Sequence, residues 1–259
     1  MKDDISISLQ DLGIRYRRYL RQHRTLKDLF VNRFRGSQYE SFWALRNISL
    51  ELKRGESVGV IGPNGSGKST LLSAINGVLP PAEGHIEIRG RVSAIALGGG
   101  FAAELTGREN IYLSGALHGL DSQTMRLRES EIIDFADIGD FIDAPVQTYS
   151  SGMRSRLAFA VAIEVDADIL LLDEVFAVGD AQFKQKARDR MEQLFQSGRT
   201  VVTVSHNLAL LRNLCNRVVY VLESRIKMVG SPEDVIPVYR EDQGLPPMKP
   251  KLMSAPGIN

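Results

Sequence analysis

A short apolar run, Val58-Gly-Val-Ile61, breaks into Gly62-Pro-Asn-Gly-Ser-Gly-Lys-Ser-Thr70, and Lys68-Ser-Thr-Leu-Leu-Ser-Ala-Ile75 then opens a helical stretch. Apolar strand, glycine-rich loop and helix in immediate succession commit the chain to a parallel α/β arrangement. Pro63 and the loop glycines forbid regular structure between the two elements. Such a loop turns its backbone N–H groups inward around an anion, and the helix N-terminus adds its positive dipole end. Gly62, Pro63, Asn64, Gly65, Ser66, Gly67, Lys68, Ser69 and Thr70 are therefore candidates for binding the phosphates of a nucleoside triphosphate. Lys68 is placed to reach the β- and γ-phosphates, and the Ser69 hydroxyl to take one position on octahedral Mg²⁺. A glycine-rich turn with an incidental lysine is the plain alternative; a strand on one side and a helix on the other outweigh it.

A second constellation lies a hundred residues on. Asp168-Ile-Leu-Leu-Leu172 reads as a buried parallel strand, with Asp173 and Glu174 at its C-terminal end. Ligands of open α/β sheets collect at that end of the strands. Asp173 suits a water-bridged Mg²⁺ ligand, and Glu174 suits the base that orients and deprotonates an attacking water. An ordinary acidic strand end is the reading to prefer only if the glycine loop were missing. His206 follows another apolar run, Val201–Val204, through Ser205. A lone histidine is more often structural, but this one also sits at a strand's C-terminal end. It is read as the residue that senses the γ-phosphate and keeps Glu174 and the water in line.

Gly62–Thr70, Tyr149-Ser-Ser-Gly-Met153, Leu170–Glu174, Ala177-Val-Gly-Asp180 and Ser205-His206 fall in the order and spacing of the ATP-binding cassette ATPases. The chain resembles that family from about Ile5 to about Tyr239. The resemblance implies an α/β fold: a RecA-like P-loop core, a mixed sheet with an antiparallel edge, and an inserted helical subdomain. It further implies a head-to-tail dimer in which Ser150, Ser151 and Gly152 of one chain face the γ-phosphate held by the other. Asp180 would belong to the loop crossing that interface. Met153–Ile163 is expected to be a helix, whose N-terminus suits an anion. The wording Glu104-Leu-Thr-Gly-Arg-Glu-Asn110-Ile, Thr148–Leu157 and Asp173-Glu-Val-Phe-Ala-Val-Gly-Asp180 is similar to one subgroup, the ATPases that export bacterial capsule, O-antigen and teichoic acid. That implies two copies of an integral membrane permease as partner and a lipid-linked polysaccharide as cargo. An ABC ATPase for another cargo, or a non-transport one, is the alternative; the long coiled coil or tandem cassettes usual in non-transport members are not found here.

Two departures stand out. The usual Leu-Ser-Gly-Gly-Gln signature reads Tyr149-Ser-Ser-Gly-Met153, and Ala94–Phe101 lacks the family's glutamine. A second Mg²⁺ ligand and a permease contact are therefore in question, and the export subgroup tolerates the replacement. The formal net charge of +1 argues against a nucleic-acid binder. The lone cysteine, Cys215, suits a reducing cytoplasm and reads as a buried small residue. No apolar run approaches the ~20 residues of a membrane span, and Met1-Lys-Asp-Asp lacks a signal-peptide core. The expected place is peripheral, on the cytoplasmic face of the bacterial inner membrane.

The expected organisation is one domain over 1–240, with core segments at about 1–100 and 168–240 and a helical subdomain at about 101–167. Ile5–Tyr16 and Ala44–Glu51 read as antiparallel edge strands, and Arg217–Leu222 and Arg225–Val229 as a hairpin around Glu223-Ser224. Residues 241–259 read as a loose tail, too short for the carbohydrate-binding β-sandwich carried by some export ATPases. Residues 14–43 form a basic excursion: Arg15, Arg17, Arg18, Arg21, Arg24, Lys27, Arg33 and Arg35 interleave with Tyr16, Tyr19, Leu26, Leu29 and Phe30. It reads as a loop and amphipathic helix meeting anionic headgroups or the diphosphate of a lipid-linked glycan, or as a solvated basic face. Tyr16 is the expected adenine-stacking aromatic, with Tyr39 and Trp43 as rivals.

Overall fold

The computed structural model describes residues 4–19, 39–95, 100–117, 119–164, 166–173 and 180–247. Strands β1 (Ile5–Tyr19), β2 (Tyr39–Lys53) and β4 (Glu83–Ile88) form an antiparallel sheet in the order β2-β1-β4. The second sheet has six strands in the order β5-β6-β7-β3-β8-β9. It comprises β3 (Ser57–Ile61), β5 (Val92–Ile95), β6 (Ile169–Asp173), β7 (Thr200–Val204), β8 (Arg217–Leu222) and β9 (Arg225–Gly230). Neighbouring strands run parallel except β8 and β9, which pair antiparallel. Their hairpin turns on Glu223 (φ 48°) and Ser224 (φ 64°), as a tight two-residue turn between twisted strands requires.

Helix α1 (Lys68–Ile75) lies between the two sheets, because its Leu71, Leu72 and Ile75 share one core with Leu9, Leu12, Leu45 and Ile48 below and Val60, Leu171, Val204 and Val219 above. Strand alternation sends the other residues to the opposite face of the large sheet. There Leu170, Leu172 and Val201 pack on Phe159 of α4 (Ser151–Ile163) and on Phe183, Met191 and Leu194 of α5 (Ala181–Gln196). Ile61, Val218 and Tyr220 pack on Leu211 of α6 (Leu208–Leu214) and on Val235 and Ile236 of α7 (Pro232–Asp242).

Helices α2 (Gly107–Leu117) and α3 (Ser122–Ala136) build a separate core with one face of α4, from Ile111, Met125, Ile132, Ile142, Tyr149, Leu157 and Val161. Asn110, fully buried, fixes the entry to α2: its Oδ1 accepts from the Ala102 N–H and its Nδ2 donates to the Ala102, Leu105 and Thr106 carbonyls. Arg108 adds an ion pair to Asp143 at 2.7 Å and a further one to Glu129.

Three sequence expectations are corrected. The edge strands run past Tyr16 and begin before Ala44: Arg15 pairs with Trp43, Tyr16 with Phe42, Arg17 with Ser41 and Arg18 with Glu40. The first basic residues of the excursion thus sit on a strand, where arginines over Trp43 and Tyr39 (5.4 and 5.1 Å) offset the charge. Helix α4 starts at Ser151 rather than Met153, because the Ser150 side chain accepts from the Met153 N–H and caps it. Asp168 precedes β6 instead of opening it; its carboxylate accepts from the Arg91 N–H. The amphipathic pattern at 20–38 lies outside the described residues.

Candidate nucleotide-binding site

Register places the functional strand ends side by side. Val204 of β7 is the partner of both Val60 of β3 and Asp173 of β6. The glycine loop after β3, Ser205-His206 after β7 and Asp173 therefore open onto one edge of the sheet, on three successive strands about 4.8 Å apart. Asp173 is half-buried there and His206 exposed. Ser205 Oγ accepts from the Asn207 N–H at 3.1 Å, and Asn207 in turn caps α6 by accepting from Leu210 N. His206 is thus fixed between a strand end and a capped helix.

The loop's construction is that of an anion site. Gly67, at φ 107°, caps α1 without any side-chain hydrogen bond, and the first turn of α1 carries no acid. The first amides of that helix lack the side-chain acceptor that normally serves them. A Cβ on Gly67 would lie 2.5 Å from the Ala44 carbonyl oxygen, and one on Gly62 would lie 2.2 Å from that of Val221. Only glycine lets the loop pass this close to the two sheets. Lys68, 9% exposed, bends its Nζ back to donate to the Gly62 and Pro63 carbonyls at 2.9 and 3.0 Å. The Ser66 hydroxyl is buried in the loop without a hydrogen-bond partner.

A cavity of about 450 Å³ opens on this loop, lined by Asn64, Gly65, Gly67, Lys68, Ser69, Thr70, Val204 and His206 at one end. Tyr16, Phe42, Trp43 and Ala44 wall the other. The size suits a small ligand with one polar and one aromatic end. Tyr16 and Phe42 are cross-strand partners with ring centroids 5.7 Å apart. Phe42 is the residue that sequence reasoning missed; extending the period-two alternation of β2 back to Tyr39 would have paired it with Tyr16. Tyr39 does not line the cavity, whereas Trp43 does.

Ser150, Ser151 and Gly152 do not line the cavity either. They stand at the exposed start of α4, behind Tyr149, whose hydroxyl donates to the Phe141 carbonyl at 2.5 Å. Glu174 and residues 96–99 of the glutamine-free stretch lie outside the described residues. Cys215 is buried, and burial pushes its thiol up to about 12. Among the described residues, no helix is long and apolar enough to cross a membrane.

A family model described as "ABC transporter" matches residues 45–177, from within β2 through the carboxylate-bearing strand end. The chain belongs to the ABC transporter family. Among curated relatives, the teichoic acids export ATP-binding protein TagH of Listeria monocytogenes is 41% identical over 241 residues, covering 93% of this chain and 71% of that protein. The O-antigen export system ATP-binding protein RfbB of Klebsiella pneumoniae is 42% identical over 220 residues, covering 83% and 89%. That of Myxococcus xanthus is 44% identical, and the match spans only 49% of its length. A solved ATP-binding subunit of an ABC transporter superposes with TM-score 0.70 at 22% identity over 93% of this chain and 94% of that one. A dimeric ATP-binding cassette bound to ADP and Pi gives 0.68 at 23%, over 87% and 98%. These two show that the fold is that of the ABC ATPases, with the mixed sheet, antiparallel edge and helices that the motifs implied. The resemblance to the polysaccharide-export subgroup holds as well.

Proposed function

We infer that this ABC cassette binds and hydrolyses ATP to drive export of a lipid-linked surface polysaccharide through an integral membrane permease. The observation carrying the cargo class is the 41–44% identity to teichoic acid and O-antigen export subunits. Its place is the cytoplasmic face of the membrane, attached through two permease copies. Co-purification with an integral membrane permease, and loss of surface glycan on depletion, test this reading. Normal surface glycan after depletion would overturn it.

In the nucleotide site, Gly62–Thr70 wraps the phosphates, and Lys68 exchanges its two loop carbonyls for the β- and γ-phosphate oxygens. Ser69 and Asp173 would hold Mg²⁺, which supplies charge neutralisation on the phosphates; a hydroxyl and a carboxylate suffice because this ion keeps several waters. Glu174 takes the proton of the attacking water, and His206 keeps the two aligned. The adenine rests against the Tyr16–Phe42 pair. Tyr16→Ala and Phe42→Ala are each expected to raise the KM for ATP about 5- to 10-fold, the low end of base–aromatic stacking, with kcat little changed. Tyr39→Ala should leave both constants alone.

The serine-glycine turn serves a second copy of the chain. A Cβ on Gly152 would meet nothing closer than Ser150 Oγ at 3.8 Å, so nothing in this chain's own packing demands glycine there. A γ-phosphate held by a partner's loop, approaching the capped start of α4, does demand it. The test mixes two inactive variants, Lys68→Ala and Gly152→Asp. A head-to-tail pair formed from one of each has one wild-type site, so activity should reappear on mixing. No recovery, with mixed dimers demonstrably formed, would rule out the shared site.

A further inference from the structure

We propose that Ser66 is a positioning residue of the glycine loop: its hydroxyl takes over the Pro63 carbonyl when Lys68 leaves that carbonyl for the phosphates. The loop then keeps its shape as the nucleotide binds. This deepens the nucleotide-site reading above and rests on it. Ser66 is 4% exposed and does not line the cavity, unlike Asn64, Gly65 and Gly67–Thr70 around it. Its Oγ lies inside the loop, 2.6 Å from where a Cβ on Gly62 would stand, and has no hydrogen-bond partner there. Burying a hydroxyl without a partner costs stability, so a second state in which it has one gives it a purpose.

The Pro63 carbonyl explains why the hydroxyl is idle. A carbonyl oxygen has two lone pairs. That of Pro63 accepts from the Ser66 N–H at 3.2 Å and from Lys68 Nζ at 3.0 Å, so both are occupied. Two other turns of the chain show what the same arrangement does when no ammonium competes. The Thr148 N–H donates to the Pro145 carbonyl at 2.9 Å, and its Oγ1 donates to the same oxygen at 2.7 Å. The Ser197 N–H donates to the Leu194 carbonyl at 3.2 Å, and its Oγ to that oxygen at 2.7 Å. A serine or threonine hydroxyl three residues after an open carbonyl bonds to it readily. Ser66 has the same backbone bond, but its acceptor is taken.

Nucleotide binding opens that acceptor. Once Lys68 Nζ turns to the β- and γ-phosphate oxygens, the Pro63 carbonyl is left with its amide bond alone, beside a buried donor that has nothing to bind. A turn of Ser66 about χ1 closes the bond, as at Thr148 and Ser197. The hydroxyl is thus unused in the free chain and used in the bound one. Its hydrogen bond therefore contributes to ATP affinity and not to folding. Alanine at 66 would build the same free loop, but Lys68 could then leave only by stranding a carbonyl.

The test uses the full chain, with Tm measured without nucleotide and Kd measured for a non-hydrolysable ATP analogue with Mg²⁺. Ser66→Ala is expected to raise Kd about 3- to 10-fold, the range of one net hydrogen bond. The Tm of the nucleotide-free variant should equal or exceed that of the wild type, because an unpartnered buried hydroxyl is gone. A residue that merely packs the loop would lose stability and affinity together, so a fall in the nucleotide-free Tm alongside the rise in Kd would overturn the proposal. Unchanged Kd in Ser66→Ala would also overturn it. Ser66→Cys keeps the volume with a much weaker donor; a return to wild-type affinity there would assign the effect to volume and overturn it too. A crystal structure with the analogue bound should show Ser66 Oγ within hydrogen-bond distance of the Pro63 oxygen, and an Oγ still unpartnered would sink the idea. If Lys68→Ala binds the analogue as tightly as the wild type, the exchange of carbonyls for phosphates fails, and the underlying reading falls together with the proposal.

Discussion

Glu174→Gln is expected to lower hydrolysis by about 10²- to 10⁴-fold, the range of general-base catalysis, while ATP binding persists. The substitution keeps the shape of the side chain and its capacity to hydrogen-bond the attacking water, but an amide takes no proton. Its neighbour Asp173 is fixed at the sheet edge by pairing with Val204, in line with the strand that leads to the glycine loop. Glu174 follows Asp173 directly in the chain. In the shared site proposed above, a γ-phosphate that is not cleaved would keep bridging the lysine-bearing loop of one protomer and the Ser150–Gly152 turn of its twin. Size exclusion should then show a dimer in the presence of ATP and a monomer with ADP. Full-rate hydrolysis by monomeric Glu174→Gln would remove this residue as the base.

The parts of the fold legible beforehand were those whose signal is local. The glycine loop and its flanking strand and helix follow from steric rules within a dozen residues. The runs Ile169–Leu172 and Val201–Val204 are apolar except at Thr203, because both faces of a central parallel strand are covered. Glu223-Ser224 was legible because two runs of strand residues flank a two-residue gap. What escaped was set by partners distant in sequence. Nothing in Arg17-Arg18-Tyr19 announces a strand; these residues extend β1 because Tyr39–Ser41 lies opposite to accept the ladder. Phe42 was missed for the same reason. The start of α4 was misplaced because Ser150 spends its hydroxyl on the Met153 N–H, a choice that the residue types at 150 and 151 leave open. Arg156 pairs with Asp137 and Asp180, positions that only the tertiary packing brings together.

Lys68→Ala is expected to remove most of the nucleotide-dependent stabilisation and to reduce hydrolysis at least about 100-fold, since one preorganised donor on a developing charge is worth that much. Before ATP arrives, the ammonium is held by the Gly62 and Pro63 carbonyls, so the loop is already bent around the position of the phosphates. Alanine removes the charge and leaves both carbonyls facing the cavity, where they repel phosphate oxygens. Free-chain stability should move little, because the variant loses two hydrogen bonds and also the cost of desolvating a charge that is 9% exposed. The difference appears on adding ATP. At a ligand concentration of 100 Kd, binding stabilises the wild type by about 2.7 kcal/mol; a 100-fold weaker Kd leaves only about 0.4 kcal/mol at the same concentration. Lys68→Arg should not rescue the site, because a planar fork cannot replace a compact ammonium between two carbonyls at 2.9 and 3.0 Å. Thermal unfolding with and without Mg-ATP reads the contrast directly. An undiminished ATP-induced rise of Tm in Lys68→Ala would show that phosphate binding resides in the backbone amides of the loop alone.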